Sequence, residues 1–556
     1  VTMQTALVLL LAVVSPALSV FRLEPGAFLQ LPDHLDRTVY NNGAANKVAY
    51  DPQENFLYVI GYRADVLHVV DMSDPANPSR LVTKHFNIPM HGLPDAIAVC
   101  RSETRPYLVV SHESPDQIEK AHIHIYRLLT PSTINNNLER IRDMAVLDAF
   151  DPKSMAWAPG FCDQILVVSE GEPHEVNGAF VDPNGDVEIL TMGFGTTIGK
   201  TSVPIIESDL EGAGVRRVFT QCDSTANNNT MPPPSSRRQD LGPKAVTIDQ
   251  NGMAYIAFQD NNAIAKYDLM DLSADRKMHY FDLGTKDWGL AALDGSYDDQ
   301  AIALEERPGL KGLYQPSALV TFELDGKTWL ATADQGSIRA YNFATCRYDV
   351  SVTARSWNQD FSGALSEADR IKLNADMNSN QEIGRLRVSK LKIPNDGWNN
   401  LMEAYDYVTA FGGRGFSIYD ADDMTRVYDS GDSMERYFVS GSATPAQDVM
   451  FNAKVGSAGT VQSSQKDRAS PEMGPAPSDI IVADWSNSTK VLVISNGVSG
   501  GLYVYSVNSG PVVNFESYVR RGNPGLTYIE DQGQRTVVAV SSTAASLSFY
   551  TLVEDP

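Results

Sequence analysis

Residues 490–507 read KVLVISNGVSGGLYVYSV, and residues 56–72 read FLYVIGYRADVLHVVDM. Each is an apolar, β-rich run, a short loop rich in Gly, Ser, Asn or Asp, and a second run of alternating character. Strands this apolar bury both faces against neighbours, while polar residues are confined to the connecting loops. The same phrase recurs at residues 107–128, 165–192, 252–269, 327–343, 405–421 and 535–552, making eight copies. Many copies follow a further short strand, as at residues 47–51, 95–99, 244–249, 317–322, 478–483 and 525–529.

Three to four strands per repeat, continuing almost end to end without a linker, predict an all-β fold: a single β-propeller of seven or eight blades with irregular loop insertions. An array of β-sandwiches is the rival, since it too spaces strands regularly. The insertions fall at residues 193–238, 287–313, 358–396 and 440–477. Within the third, Ser366-Glu367-Ala368-Asp369 predicts a capped start to a short helix.

The 556 residues are 43% hydrophobic and carry a formal net charge of −24. The apolar content excludes a disordered chain. The acid excess excludes nucleic acid, whose phosphates repel such a surface, and points to cations, mineral or basic partners. Residues 6–14 are a short apolar run, and Ala17-Leu18-Ser19 offers the small residues of a cleavage site. Residues 1–19 therefore read as a signal peptide, although without the usual Lys or Arg, and residues 20–556 as the propeller domain of a secreted, extracellular or cell-surface protein. No later segment suits a transmembrane helix.

Cys100, Cys162, Cys222 and Cys346 allow two disulfides in an oxidising compartment. The preferred pairing is Cys100–Cys162 with Cys222–Cys346, because Cys100 and Cys162 both lie beside the turn between the first two strands of adjacent repeats. Asn228 and Asn487 begin N-glycosylation sequons.

Equivalent loops of successive blades share one face, so the loops inside the repeated phrase gather at one mouth. The richest opens with Ser169-Glu170-Gly171-Glu172-Pro173-His174-Glu175 and closes with Asp182-Pro183-Asn184-Gly185-Asp186. His112, Glu113, Asp116 and Glu119 come from the preceding repeat, and Asp260 and Asp334 from later ones. Converging carboxylates repel one another without a cation, and such oxygen ligands suit Ca²⁺. The metal candidates are Glu170, Glu172, Asp182, Asp186 and Asp334; the alternative is that these acids only solvate turns.

Residues 376–382 resemble the start of a calcium loop, but Gln381 replaces the turn glycine and Arg387 the bidentate Glu, which favours helix capping. His122 and His124 share one face of a strand, read here as an exposed face rather than a metal site. No Gly-x-Ser-x-Gly elbow, His-Glu-x-x-His helix or Gly-Lys phosphate loop supports nucleophilic catalysis.

Residues 165–190 with Glu170-Gly171-Glu172-Pro173, residues 314–339, residues 412–431 with Gly413-Arg414-Gly415-Phe416-Ser417-Ile418-Tyr419-Asp420, and residues 474–507 together resemble the mesenchyme-specific cell-surface glycoproteins of calcified tissues and their bacterial relatives carrying a choice-of-anchor I domain. The resemblance covers essentially all of the mature chain. It implies an extracellular, often glycosylated and lipid-anchored propeller associated with calcified matrix, and some bacterial relatives are described as phosphatases. This chain departs where metal-assisted hydrolysis would need ligands: Ala333-Asp334-Gln335-Gly336 keeps one carboxylate of that motif, Ala476-Pro477-Ser478 lacks a Glu, and Ser495-Asn496 stands for Glu-Arg.

The expected function is thus that of a secreted acidic extracellular-matrix glycoprotein, calcium- or mineral-associated and non-catalytic, with matrix proteins, mineral surfaces or its own copies as partners. The alternatives are a divalent-metal-dependent phosphatase working through the 170–186 loop and an adhesion or assembly module.

Overall fold

The computed structural model describes residues 20–555 except 34, 39–42, 87–91, 103, 114–119, 142–144, 161, 194–197, 219–234, 274, 344–346, 456–460 and 521–524. The predicted signal peptide, Asp116, Glu119, Cys222, Asn228 and Cys346 lie outside the described residues.

The chain is mostly β, and seven antiparallel sheets of four strands follow one another along it. Their first strands are Lys47–Asp51, Leu93–Arg101, Pro152–Trp157, Pro243–Ile248, Ala318–Leu324, Pro477–Asp484 and Gly525–Asp531. These strands pack against one another in chain order, and the seventh also packs against the first. The second strands, such as Phe56–Gly61 and Met253–Phe258, are almost wholly buried, which is why their sequences are continuous apolar runs.

Between consecutive sheets lies a separate apolar layer. Tyr58 and Ile60 of the first sheet meet Leu108 and Val110 of the second, and Ile418 of the fifth meets Leu492 and Ile494 of the sixth. Val493 of the sixth meets Val537 of the seventh, and Val538 and Phe549 of the seventh meet Leu57 and Val59 of the first. Each fully buried side chain of this kind contributes about 1.5–3 kcal/mol over its exposed state, so each layer is a substantial adhesive face.

The seventh sheet is built from both ends of the described chain. Gly525–Asp531, Gln534–Ser541 and Ser546–Asp555 are joined by Val20–Gln30, which runs antiparallel to the last of them from Val20 opposite Asp555 to Gln30 opposite Ser546. Tight hairpins set the register. Asp325-Gly326 and Gln532-Gly533 take two consecutive left-handed conformations, φ +57° and +73°, then +47° and +83°, the pattern of a two-residue hairpin turn whose twist matches the strands.

The eight repeats of the sequence reduce to seven sheets at the fifth. Lys327–Asp334 pairs with Gly415–Asp420, across some eighty intervening residues, so the copies at 327–343 and 405–421 are halves of one sheet. Ala340–Asn342 instead pairs with Arg347–Asp349. The intervening chain joins residues 285–313 in a five-stranded mixed sheet with its own core around Trp288, Leu310, Trp357 and Val388. It also holds the expected helix, Glu367–Asn378, whose Ser366 side chain accepts from the Asp369 amide at 3.1 Å. No helix among the described residues is long and apolar enough to cross a membrane.

Cys100 and Cys162 form the expected bridge between the second and third sheets, with Cα atoms 5.8 Å apart.

Candidate functional site

The first strands of four sheets carry a proline in their first or second position followed by a register shift, at Pro94, Pro152, Pro243 and Pro477. Proline lacks the amide that a ladder would need, and a bulge next to it turns the following side chain out of the regular alternation. Lys153, Lys244 and Ser478 occupy such bulges and line a cavity of about 410 Å³. Every first strand contributes to its wall, through Lys47, Ala96, Lys153, Lys244, Ala318, Asp479 and Gly525.

Above the lysines sits a carboxylate cluster. One oxygen from each of Asp95, Glu113 and Asp151 lies within 4.8 Å of the others, the only such His, Cys, Asp or Glu trio among the described residues. All three residues are buried, at 7%, 5% and 1% exposure. Lys153 Nζ is 2.5 Å from Asp151 Oδ1 and 3.9 Å from Asp95 Oδ2, and Lys47 Nζ is 3.9 Å from Asp95 Oδ1. The Tyr62 hydroxyl donates to Glu113 Oε1.

The electrostatics divide these acids. Burial, together with hydrogen bonding to Asp151 and the negative charges of Asp151 and Asp95, pushes the Glu113 carboxyl up to about 9. Burial opposes ionisation of Asp151 too, yet the Lys153 ammonium and the hydrogen bond with Glu113 hold it below the ordinary carboxylate value. Lys153 is half-buried, and although partial desolvation opposes its charge, Asp151, Asp95, Glu170 and Glu113 around it raise its pKa well above the usual lysine range. At neutral pH the mouth therefore holds a protonated Glu113 beside an ionised Asp151.

The predicted metal residues do not gather as one shell. Glu170 reaches this mouth, where its Oε2 accepts from Lys244 Nζ at 2.8 Å. Glu172 is exposed but lies in the crowded mouth, where surrounding protein and the Glu170 charge raise its carboxyl to about 7. The other three have separate partners. Asp182 accepts from the Ser235 hydroxyl at 2.5 Å, and Asp186 from Arg238 at 2.8 Å. Asp334, 1% exposed, accepts from the hydroxyls of Thr332 and Ser417 at 2.7 and 2.6 Å.

Other acids of the same loops are structural partners of arginine. Arg339 bridges Asp240 and Asp260 at 2.9 and 2.8 Å. Asp376 and Glu382 of the partial calcium motif both bind Arg307 at 2.6 Å, in keeping with a structural role for that segment. His122 and His124 are not on an exposed face: their strand is packed on both sides, their exposures are 6% and 0%, and the His124 ring lies 4.8 Å from that of His112.

Asp95, Asp151 and the three lysines escaped the sequence reading because it weighed only loops within the repeated phrase. A signal was present: Pro94-Asp95, Pro152-Lys153, Pro243-Lys244 and Pro477-Ser478 each precede an apolar run and mark a bulge at the start of a first strand.

Comparison with solved structures gives distant similarity. A putative 6-phosphogluconolactonase from Bacteroides fragilis aligns over 92% of this chain and 97% of its own, with 9% identity and a TM-score of 0.40. Virginiamycin B lyase from Staphylococcus aureus aligns over 96% and 100%, with 8% identity and a TM-score of 0.39. A periplasmic gluconolactonase from Pseudomonas aeruginosa aligns over 91% and 98%, with 11% identity and a TM-score of 0.32. No curated protein matches the chain. Residues 46–510 match the choice-of-anchor I domain, and the chain belongs to that family.

Proposed function

We propose that the seven sheets are the blades of one closed β-propeller, and that the chain is a secreted, surface-associated glycoprotein of acidic extracellular matrix that binds calcium or mineral rather than turning over a substrate. The observation that carries this reading is the concentration of Asp95, Glu113, Asp151, Glu170 and Glu172 around the mouth of the first strands, where Glu113 takes up a proton in place of a cation. A divalent ion relieves the same repulsion. The acidity of the chain, the Cys100–Cys162 bridge and the exposure of Asn487 on a turn support an extracellular setting. Kinship with the mesenchyme-specific cell-surface glycoproteins belongs to this proposal, as do matrix proteins, mineral surfaces or further copies of the chain as partners.

Thermal melts of the purified chain in EGTA and in millimolar calcium test the reading. Calcium at a hundredfold excess over its dissociation constant stabilises the fold by about 2.7 kcal/mol, so the melting temperature should rise. Coincident melts reject calcium binding. Phosphatase turnover that requires an added divalent metal and disappears in Glu172→Gln would replace the binding reading with the enzymatic one.

A further inference from the structure

We propose that calcium binds at Asp95, Glu113 and Asp151, and that Lys153 is the built-in competitor that sets its affinity. The proposal rests on the calcium reading above for the identity of the ion, and adds the ligands and the group that the ion must displace.

The dimensions suit one ion. Calcium–oxygen bonds of about 2.3–2.6 Å place opposite ligands roughly 4.6–5.2 Å apart. The three carboxylate oxygens here fall within 4.8 Å of one another before any ion is present. One oxygen of the cluster lacks a close partner: no hydrogen-bond donor among the described residues reaches Asp95 Oδ2, the Lys153 ammonium stays 3.9 Å away, and the residue is only 7% exposed. A buried carboxylate oxygen without a donor is costly, and a coordinated cation removes the cost.

Lys153 stands where that cation would act. Its ammonium approaches Asp151 at 2.5 Å and Asp95 at 3.9 Å, touching two of the three ligands at once. Calcium must therefore dislodge a positive charge to enter, which lowers its affinity. The lysine has somewhere to go: it lies in a bulge and borders the cavity of about 410 Å³, so its flexible stem can withdraw the ammonium from the carboxylates into open space. Exchange of this kind replaces one compact cation by another and leaves the backbone in place. It suits an ion present outside cells at high concentration, for which tight binding is unnecessary.

Calorimetric calcium titration of the full chain tests the proposal, using wild type, Lys153→Met, Asp95→Asn, Asp151→Asn and Glu170→Gln, with Glu367→Gln, an exposed acid on the 367–378 helix, as the control. The expected result is measurable binding by wild type, at least tenfold tighter binding by Lys153→Met, loss of binding in both Asp variants, and unchanged binding in Glu367→Gln. Lys153→Met should also show a larger calcium-induced rise in melting temperature, since its carboxylates lack an internal counter-ion. Folding of that variant only in calcium would count in favour. If wild type binds calcium but Lys153→Met binds no tighter, the competitor role is wrong while the calcium reading stands. If the Asp variants bind normally and Glu170→Gln does not, the ion sits elsewhere in the mouth. Absence of binding in wild type and Lys153→Met alike would remove both readings.

Discussion

Arg216 donates to both carboxylate oxygens of Asp396, Nε to Oδ1 at 2.6 Å and Nη2 to Oδ2 at 2.7 Å, across 180 residues of chain. Both side chains are fully buried, and the same guanidinium donates to the Asp260 carbonyl at 2.8 Å. This fork ties the segment after the third sheet to the inserted layer, and through Asp260 to the loop of the fourth.

Removing one member should be costly, because the survivor remains charged and buried. Arg216→Met is expected to destabilise the protein by about 3–5 kcal/mol. Arg216→Met combined with Asp396→Leu should cost less than Arg216→Met alone. Denaturant melts of the single and double variants check this; equal losses would mean that packing, not the orphaned carboxylate, sets the penalty.

Asp334 supplies a pH-dependent penalty. Burial pushes its carboxyl up to about 7 despite the Ser417 and Thr332 hydroxyls, above the ordinary value of 3.8. A folded-state value above the unfolded one means that the folded chain keeps a proton which the unfolded chain has released. The stability from this group is complete below pH 3.8 and is lost as pH rises to about 7, after which the loss stays constant. Asp334→Asn should therefore raise stability at pH 8, by roughly 4 kcal/mol, and gain little at pH 4. Melting temperatures of both proteins across this range measure it, and an equal difference at both ends would show that ionisation is not the cause.

The Cys100–Cys162 bridge closes 62 residues of chain. In the chain-entropy account a loop of this size is worth about 4 kcal/mol, less any strain. Cys100→Ser with Cys162→Ser should lower the melting midpoint, and reductant should shift wild type toward the double variant. A double variant as stable as wild type would assign the bridge no role in folding.

Most of the fold was legible because it rests on patterns that local physics enforces. Strands buried on both faces must be apolar throughout, as in residues 491–494, and the turns between them must be polar or left-handed. The eight sequence copies do not map one to one onto sheets because an apolar strand carries no mark of which partner it takes: Lys327–Asp334 looks complete with residues 340–343 and pairs instead with residues 415–420. The site was legible only in part. Glu170 reaches the mouth, yet Asp182, Asp186 and Asp334 have committed partners in Ser235, Arg238, Thr332 and Ser417, which are remote or inconspicuous in sequence. Asp95 and Asp151 were hidden at strand starts outside the loops of the repeated phrase, Asp95 within a bulge and Asp151 just before the strand whose bulge holds Lys153.

The strand Val20–Gln30 finds its partner only in Ser546–Asp555, near the other end of the polypeptide. During synthesis it emerges before the other described strands and its partner after them, so it must wait, with its hydrogen-bonding edge unpaired, while six sheets form behind it. The seventh sheet cannot be completed until residues 546–555 have left the ribosome and any translocation channel. Whatever shields Val20–Gln30 during that interval, whether solvent or a folding helper, guards it against pairing with the same unfinished edge on a neighbouring nascent chain. The join between first and last strands thus makes maturation of this protein a question of timing as much as of stability.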